Sequence, residues 1–154
     1  MTRRLSFIVA MIGALSIAIG AVGVSASTTA GKTVIVVERA TTDTVIDLGV
    51  TGDSLGDLLV FGNDIYSASN TVKVGRDQGS CVRTNPGASW ECNWTTVLAG
   101  GSISVAGPFY DDLRDTQFAI TGGTGKYRNA RGVLVLHAQD ALGTVLTFTF
   151  RIIG

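Results

Sequence analysis

Few residues in this 154-residue sequence have the type and spacing for chemistry. Gly122-Gly123-Thr124-Gly125-Lys126 has the outline of a phosphate-binding loop. The Walker pattern needs glycine where Ile120 stands and Ser or Thr where Tyr127 stands, so the run reads instead as a tight turn between strands. His137 is the sole imidazole and sits between Leu136 and Ala138 in a predicted strand, sharing a face with Val133 and Val135. That setting favours a hydrogen-bonded structural histidine over a general base. No Gly-x-Ser-x-Gly elbow is present to supply a nucleophile. Asp111, Asp112 and Asp115 enclose Arg114, but calcium wants more oxygen ligands at ordered spacing; the cluster reads as a solvated loop and no metal site is expected. Two cysteines and one histidine fall short of a four-ligand zinc site. The sequon Asn93-Trp94-Thr95 lies in a predicted strand and is incidental.

The cysteines acquire meaning from the N-terminus. Residues 1–26 read as a secretory signal: Arg3 and Arg4, an uncharged apolar run over Leu5–Val24, then the small residues Val24-Ser25-Ala26 at an expected cleavage point. The alternative is an uncleaved membrane anchor over residues 5–24. Export would leave a mature domain over 27–154 in an oxidising compartment. There Cys81 and Cys92, flanking the turn signal Asn85-Pro86-Gly87-Ala88, face each other across a hairpin centred between Pro86 and Gly87. A structural disulfide is the favoured reading, with a free thiol at a site as its alternative.

Composition limits the partners. The chain is 45% hydrophobic and formally neutral, with 12 Lys plus Arg against 12 Asp plus Glu. Losing Arg3 and Arg4 leaves ten positive against twelve negative side chains, a formal charge of −2. A nucleic-acid binder needs clustered positive charge, and no strong pull toward anionic membranes is expected after cleavage.

Any chemistry must therefore be positioned by strands. No window beyond the signal sustains helical periodicity, whereas short β-branched and aromatic runs alternate with Gly, Asn, Asp and Ser. Eight strands are predicted: 34–39, 57–66, 72–84, 89–98, 102–107, 116–121, 133–139 and 144–153. Leu146, Phe148, Phe150 and Ile152 share one face of the last, opposite Thr147, Thr149 and Arg151. Val133-Leu134-Val135-Leu136 is apolar on both faces, which implies an apolar lumen inside and packing by a second layer or another subunit outside. The fold class is all-β, an eight-stranded antiparallel barrel. Ala40–Leu55 is the one long loop, which either covers a barrel mouth or merely connects.

These runs carry a family resemblance. Leu55-Gly56-Asp57-Leu58-Leu59-Val60-Phe61-Gly62-Asn63-Asp64-Ile65-Tyr66, Gly79-Ser80-Cys81, Gly107-Pro108-Phe109 and Asp115–Gly123 resemble plant allene oxide cyclases. Lys73–Gly79 and Gly122–Gly132 look more like dirigent proteins, which share one barrel superfamily with the cyclases. The resemblance covers most of residues 32–153 and implies an eight-stranded barrel, commonly trimeric, whose apolar cavity orients a reactive guest.

By the same resemblance, Asn63 matches a pocket asparagine that helps bind an ordered water, and Cys81 a cysteine near the cavity. The cyclase glutamate and asparagine of the first strand fall at Ile35 and Val37, and a cyclase tyrosine at Phe109; true allene oxide cyclase activity is therefore not expected. On the dirigent side, Asp115 sits near the position of a functional aspartate preceding the Gly-Gly turn, and Arg131 matches a motif arginine at the pocket mouth. Such a pair could protonate or stabilise an oxygen on a conjugated guest, although Arg131 reads equally as half of a structural ion pair with Asp115. Phe109 and Tyr110 are the further ligand-contact candidates. The sequence thus predicts a secreted barrel that binds a small hydrophobic or aromatic molecule and steers its cyclisation, isomerisation or coupling, with no dissociable cofactor required. Its rivals are an exported carrier without turnover and a homo-oligomer whose lumen is filled by side chains.

Overall fold

The computed structural model describes residues 31–153, so the expected signal segment and its cleavage point lie outside the described residues. The strands are β1 (Lys32–Arg39), β2 (Thr44–Ile46), β3 (Leu58–Phe61), β4 (Asp64–Ser67), β5 (Lys73–Asn85), β6 (Ser89–Leu98), β7 (Gly101–Tyr110), β8 (Thr116–Gly123), β9 (Arg131–Ala138) and β10 (Val145–Ile153). All paired neighbours are antiparallel. The order β1-β10-β9-β8-β7-β6-β5 closes back on β1 through β4, and β3 pairs further along β5. β3 and β4 are two halves of one stave, which makes the barrel eight-stranded.

Alternation fills the inside. Leu146, Phe148, Phe150 and Ile152 of β10 are buried, as are Leu134 and Leu136 of β9 and Phe118 and Ile120 of β8. Val133 and Val135 point the other way and are half-buried. One β6 face carries Trp90, Cys92, Trp94 and Thr96 inward. Trp94 depends on a glycine across the ladder. It pairs with Gly79, where a Cβ would fall 2.3 Å from the Trp94 Cβ, so any side chain there would push the strands apart. The indole then packs on Phe118 and Phe148, with ring centroids 4.5 and 5.5 Å away.

Cys81 and Cys92 face each other in register and are disulfide-bonded. The glycine run at 122–126 finishes β8 and enters a three-residue 3-10 turn (Gly125–Tyr127) with Gly125 at φ 56°, a turn geometry and not a helix N-terminus. The stretch read as one strand over 57–66 breaks at Gly62–Asn63. Asp77 causes the break: its Oδ1 accepts the Asn63 N–H at 3.0 Å, while its own N–H donates to the Asn63 carbonyl at 2.9 Å.

Candidate functional site

The lumen narrows to a hollow of about 40 Å3 between Leu59, Phe61, the disulfide, Trp94, Phe109, Phe118, Leu136, Leu146 and Phe148. Two acids, Glu38 and Asp43, complete its lining. That space holds a few waters; a larger guest must displace rings to enter.

Glu38 is placed by strand alternation. It continues the inward row of Val34 and Val36 on β1, which puts a carboxyl among apolar side chains, 3% exposed. Burial pushes its pKa well above the ordinary glutamate range, and the nearby Asp77 charge pushes it further. A hydrogen bond of 2.7 Å from Asn63 Nδ2 to Glu38 Oε1 opposes these effects without reversing them. Asp77 is also fully buried. Its pKa rises to about 6, chiefly through desolvation, offset by hydrogen bonds from Glu38 and the Asn63 backbone. Asp77 Oδ2 receives no amide or hydroxyl hydrogen among the described residues. Glu38 is the acid coupled to it, and burial together with the neighbouring Asp77 charge favours the protonated form of Glu38.

Asn63 organises this dyad from behind. Its Nδ2 donates to Glu38 Oε1 and to Asp43 Oδ1, both at 2.7 Å. Its Oδ1 accepts from Thr41 N, Thr42 N and Thr42 Oγ1, each at 2.9 Å. The side chain is therefore saturated, wholly buried, and absent from the lining of the hollow. Asn63 pins the 41–43 segment and orients the Glu38 carboxyl from outside the lining of the hollow.

The remaining sequence candidates separate. Phe109 lines the hollow. Tyr110, next along the strand, is not in that lining and lies under the Arg114 guanidinium, 4.5 Å from its ring centroid. Asp115 stands at the barrel end that carries Glu38, since Thr116 pairs with Leu136 and Glu38 with Leu146, itself opposite Ala138. Its side chain is 64% exposed and bonds His137 Nδ1 at 2.6 Å. Arg131 begins β9 at the opposite end and is exposed. Six residues of strand separate it from His137, roughly 20 Å, so the expected Asp115–Arg131 pair does not form. The register decides this: a loop acid and a strand-start arginine share neither end nor face. The acidic run divides likewise, Asp111 pairing with Arg83, Asp112 with Arg114 and Asp115 with His137.

Sequence reasoning passed over Glu38, Asp77 and Asp43. Glu38 had a legible signal: it is the acid on the apolar face of an alternating strand, three residues past the position assigned to a cyclase glutamate. Asp77 had only a cross-strand signal, facing Thr96 in the ladder. Thr96 Oγ1 and Trp94 Nε1 are likewise buried without partners among the described residues, which concentrates unsatisfied polar atoms inside the wall.

Comparison with known proteins agrees with this architecture. A family profile described as "Dirigent-like protein" matches residues 22–153, and the chain belongs to that family. Among solved structures, one described as pyocyanin demethylase matches at TM-score 0.66 and 26% identity, covering 77% of this chain and all of that one. An exo-specific intermolecular Diels-Alderase, AbnU, matches at TM-score 0.66 and 14% identity over 82% of this chain and 100% of its own. A pterocarpan synthase dirigent protein matches at TM-score 0.61 and 14% identity over 86% and 96%. The last two are similar in fold alone.

Proposed function

We propose that this barrel binds a small apolar or aromatic guest in its lumen and steers a cyclisation, isomerisation or coupling of that guest, with Glu38 as the proton donor. The observation that carries the reading is the buried Glu38 carboxyl, which lines the hollow among aromatic rings, is held by Asn63, and is pushed toward its protonated form by burial and Asp77. Desolvating two acids costs stability, and carboxyls shifted by burial in a concave lining cluster at functional sites. As negative charge develops on a guest oxygen or nitrogen, Glu38 can donate to it; Asp77 then stabilises the return of a proton to the dyad. The apolar walls exclude water and restrict the guest to a few poses, which supplies the rest of the effect. Membership of the dirigent-like family supports this general kind of activity and no particular substrate.

Export and self-association belong to the same proposal. The Cys81–Cys92 bridge favours an oxidising compartment. A trimer follows from the family resemblance.

Native mass spectrometry of the protein recovered from its own host tests the reading: a retained small molecule and a subunit count above one are expected. With the guest in hand, Glu38→Gln should lower kcat at least about a hundredfold while changing guest affinity less than about threefold. Tight guest retention with no turnover by either form would favour the carrier.

A further inference from the structure

Charge is separated along this barrel although its total is small. Lys32 opens β1, Arg131 opens β9, Arg151 lies near the end of β10, and Lys126 and Arg128 belong to the turn between β8 and β9. These positions meet at one barrel end: Lys32 pairs with Ile152, Arg131 with Ile153, and Arg151 with Thr33. Lys32 Nζ and Lys126 Nζ each lie 5.1 Å from the Tyr127 ring centroid, within about one Debye length of each other. All five residues are exposed, and none has an acidic partner among the described residues. The sequence explains this: residues 116–139 and 145–153 contain no Asp or Glu, and neither do residues 31–37. The acids collect at the other end, in the connections 40–57, 111–115 and 139–144. The small formal charge is thus the sum of a cationic end and an acidic end.

We propose that the cationic end docks on an anionic lipid surface. A neutral average gives no pull toward such a surface, but clustered Lys and Arg within a Debye length of it are each attracted. Ile153, 60% exposed beside Arg131, adds an apolar contact to the basic ones. The course of the chain favours lipid over a soluble anion. Gly31 leads into β1 at this face, and the uncharged apolar run 5–24 ends six residues before it, at most about 22 Å of extended chain. Retained as an anchor, that run would hold the cationic end against the headgroups; cleaved, it leaves the same five charges in place. Docking in this sense turns the Glu38 end and its hollow away from the lipid, and the acids of that end enforce the orientation by repulsion.

Residues 31–153 hold every described strand and the core between them, so the 27–154 domain serves as the test protein. Co-sedimentation at low salt compares vesicles of phosphatidylglycerol and phosphatidylcholine in equal parts with vesicles of phosphatidylcholine alone. The mixed vesicles should bind at least about tenfold more tightly, and the difference should shrink as salt rises. Lys126→Gln with Arg128→Gln should weaken binding to the mixed vesicles at least about tenfold. Arg76→Gln with Arg114→Gln removes equal charge from exposed residues away from this end and should change binding less than about threefold. Equal binding to both vesicle types, or equal losses in the two double variants, would overturn the proposal. Binding of polyphosphate without binding of the mixed vesicles would assign this end to a soluble anion and overturn it as well.

Discussion

At the scale of single residues, the account turns on two acids whose pKa values rise because the barrel removes their water. The direction has a thermodynamic consequence. Asp77 titrates near 3.8 when unfolded and at about 6 when folded, so between those values the folded state holds more protons. Stability therefore falls as pH rises from about 4 through about 6, and the penalty persists above that. Asp77→Asn keeps an oxygen for the Asn63 N–H and removes this titration. Its thermal melting point should vary less over pH 4–7 than that of the parent, and an identical pH profile would contradict the burial argument. These acids were only partly legible in the sequence. Glu38 could be found by counting faces along β1, because alternation needs only local information. Asp77 and the saturation of Asn63 could not, because both depend on which strands lie side by side. The separation of Asp115 from Arg131 has the same origin: the motif supplies residue types, whereas strand register supplies distance.

At the scale of elements, the strands were almost fully legible and the connections were not. Period-two alternation places each stave, but the 40–55 loop contains β2, which pairs with β3, and this short edge leaves no comparable trace in Thr, Asp and Gly. The loop is held by charge instead. Asp57 accepts from Leu48 N and Ser54 N at 2.8 Å each. Arg83, with its side chain 9% exposed, lies 2.6 Å from Asp53, binds both carboxylate oxygens of Asp111 at 2.8 Å, and stacks 3.8 Å over Trp90. Arg83→Met should release residues 48–55 while the barrel stays closed. Limited chymotrypsin digestion should then cut at Leu48 or Leu55 several-fold faster than in the parent; an unchanged rate would show the loop held by other contacts. The disulfide acts on the β5–β6 hairpin. Replacing Cys81 and Cys92 together by alanine frees an 11-residue separation in the unfolded chain and should cost about 3 kcal/mol in urea unfolding. A loss near zero would mean that the hairpin is already closed by its turn and ladder.

At the scale of the whole molecule, the barrel is a nearly filled cylinder. Its hollow of about 40 Å3 makes size a basis for selection. Phe109→Ala should widen it and raise affinity for bicyclic over monocyclic aromatic probes at least about fivefold, at a stability cost of about 3 kcal/mol or less, because Phe109 is only partly buried. No gain in size tolerance would place the guest elsewhere. Everything further depends on Glu38 keeping its proton at neutral pH. The chain has only two glutamates, Glu38 and Glu91, so a 13C-carboxylate NMR titration of glutamate-labelled protein resolves the question in two signals. The account predicts that the signal lost in Glu38→Gln titrates well above the ordinary glutamate range. Two ordinary titrations would contradict it.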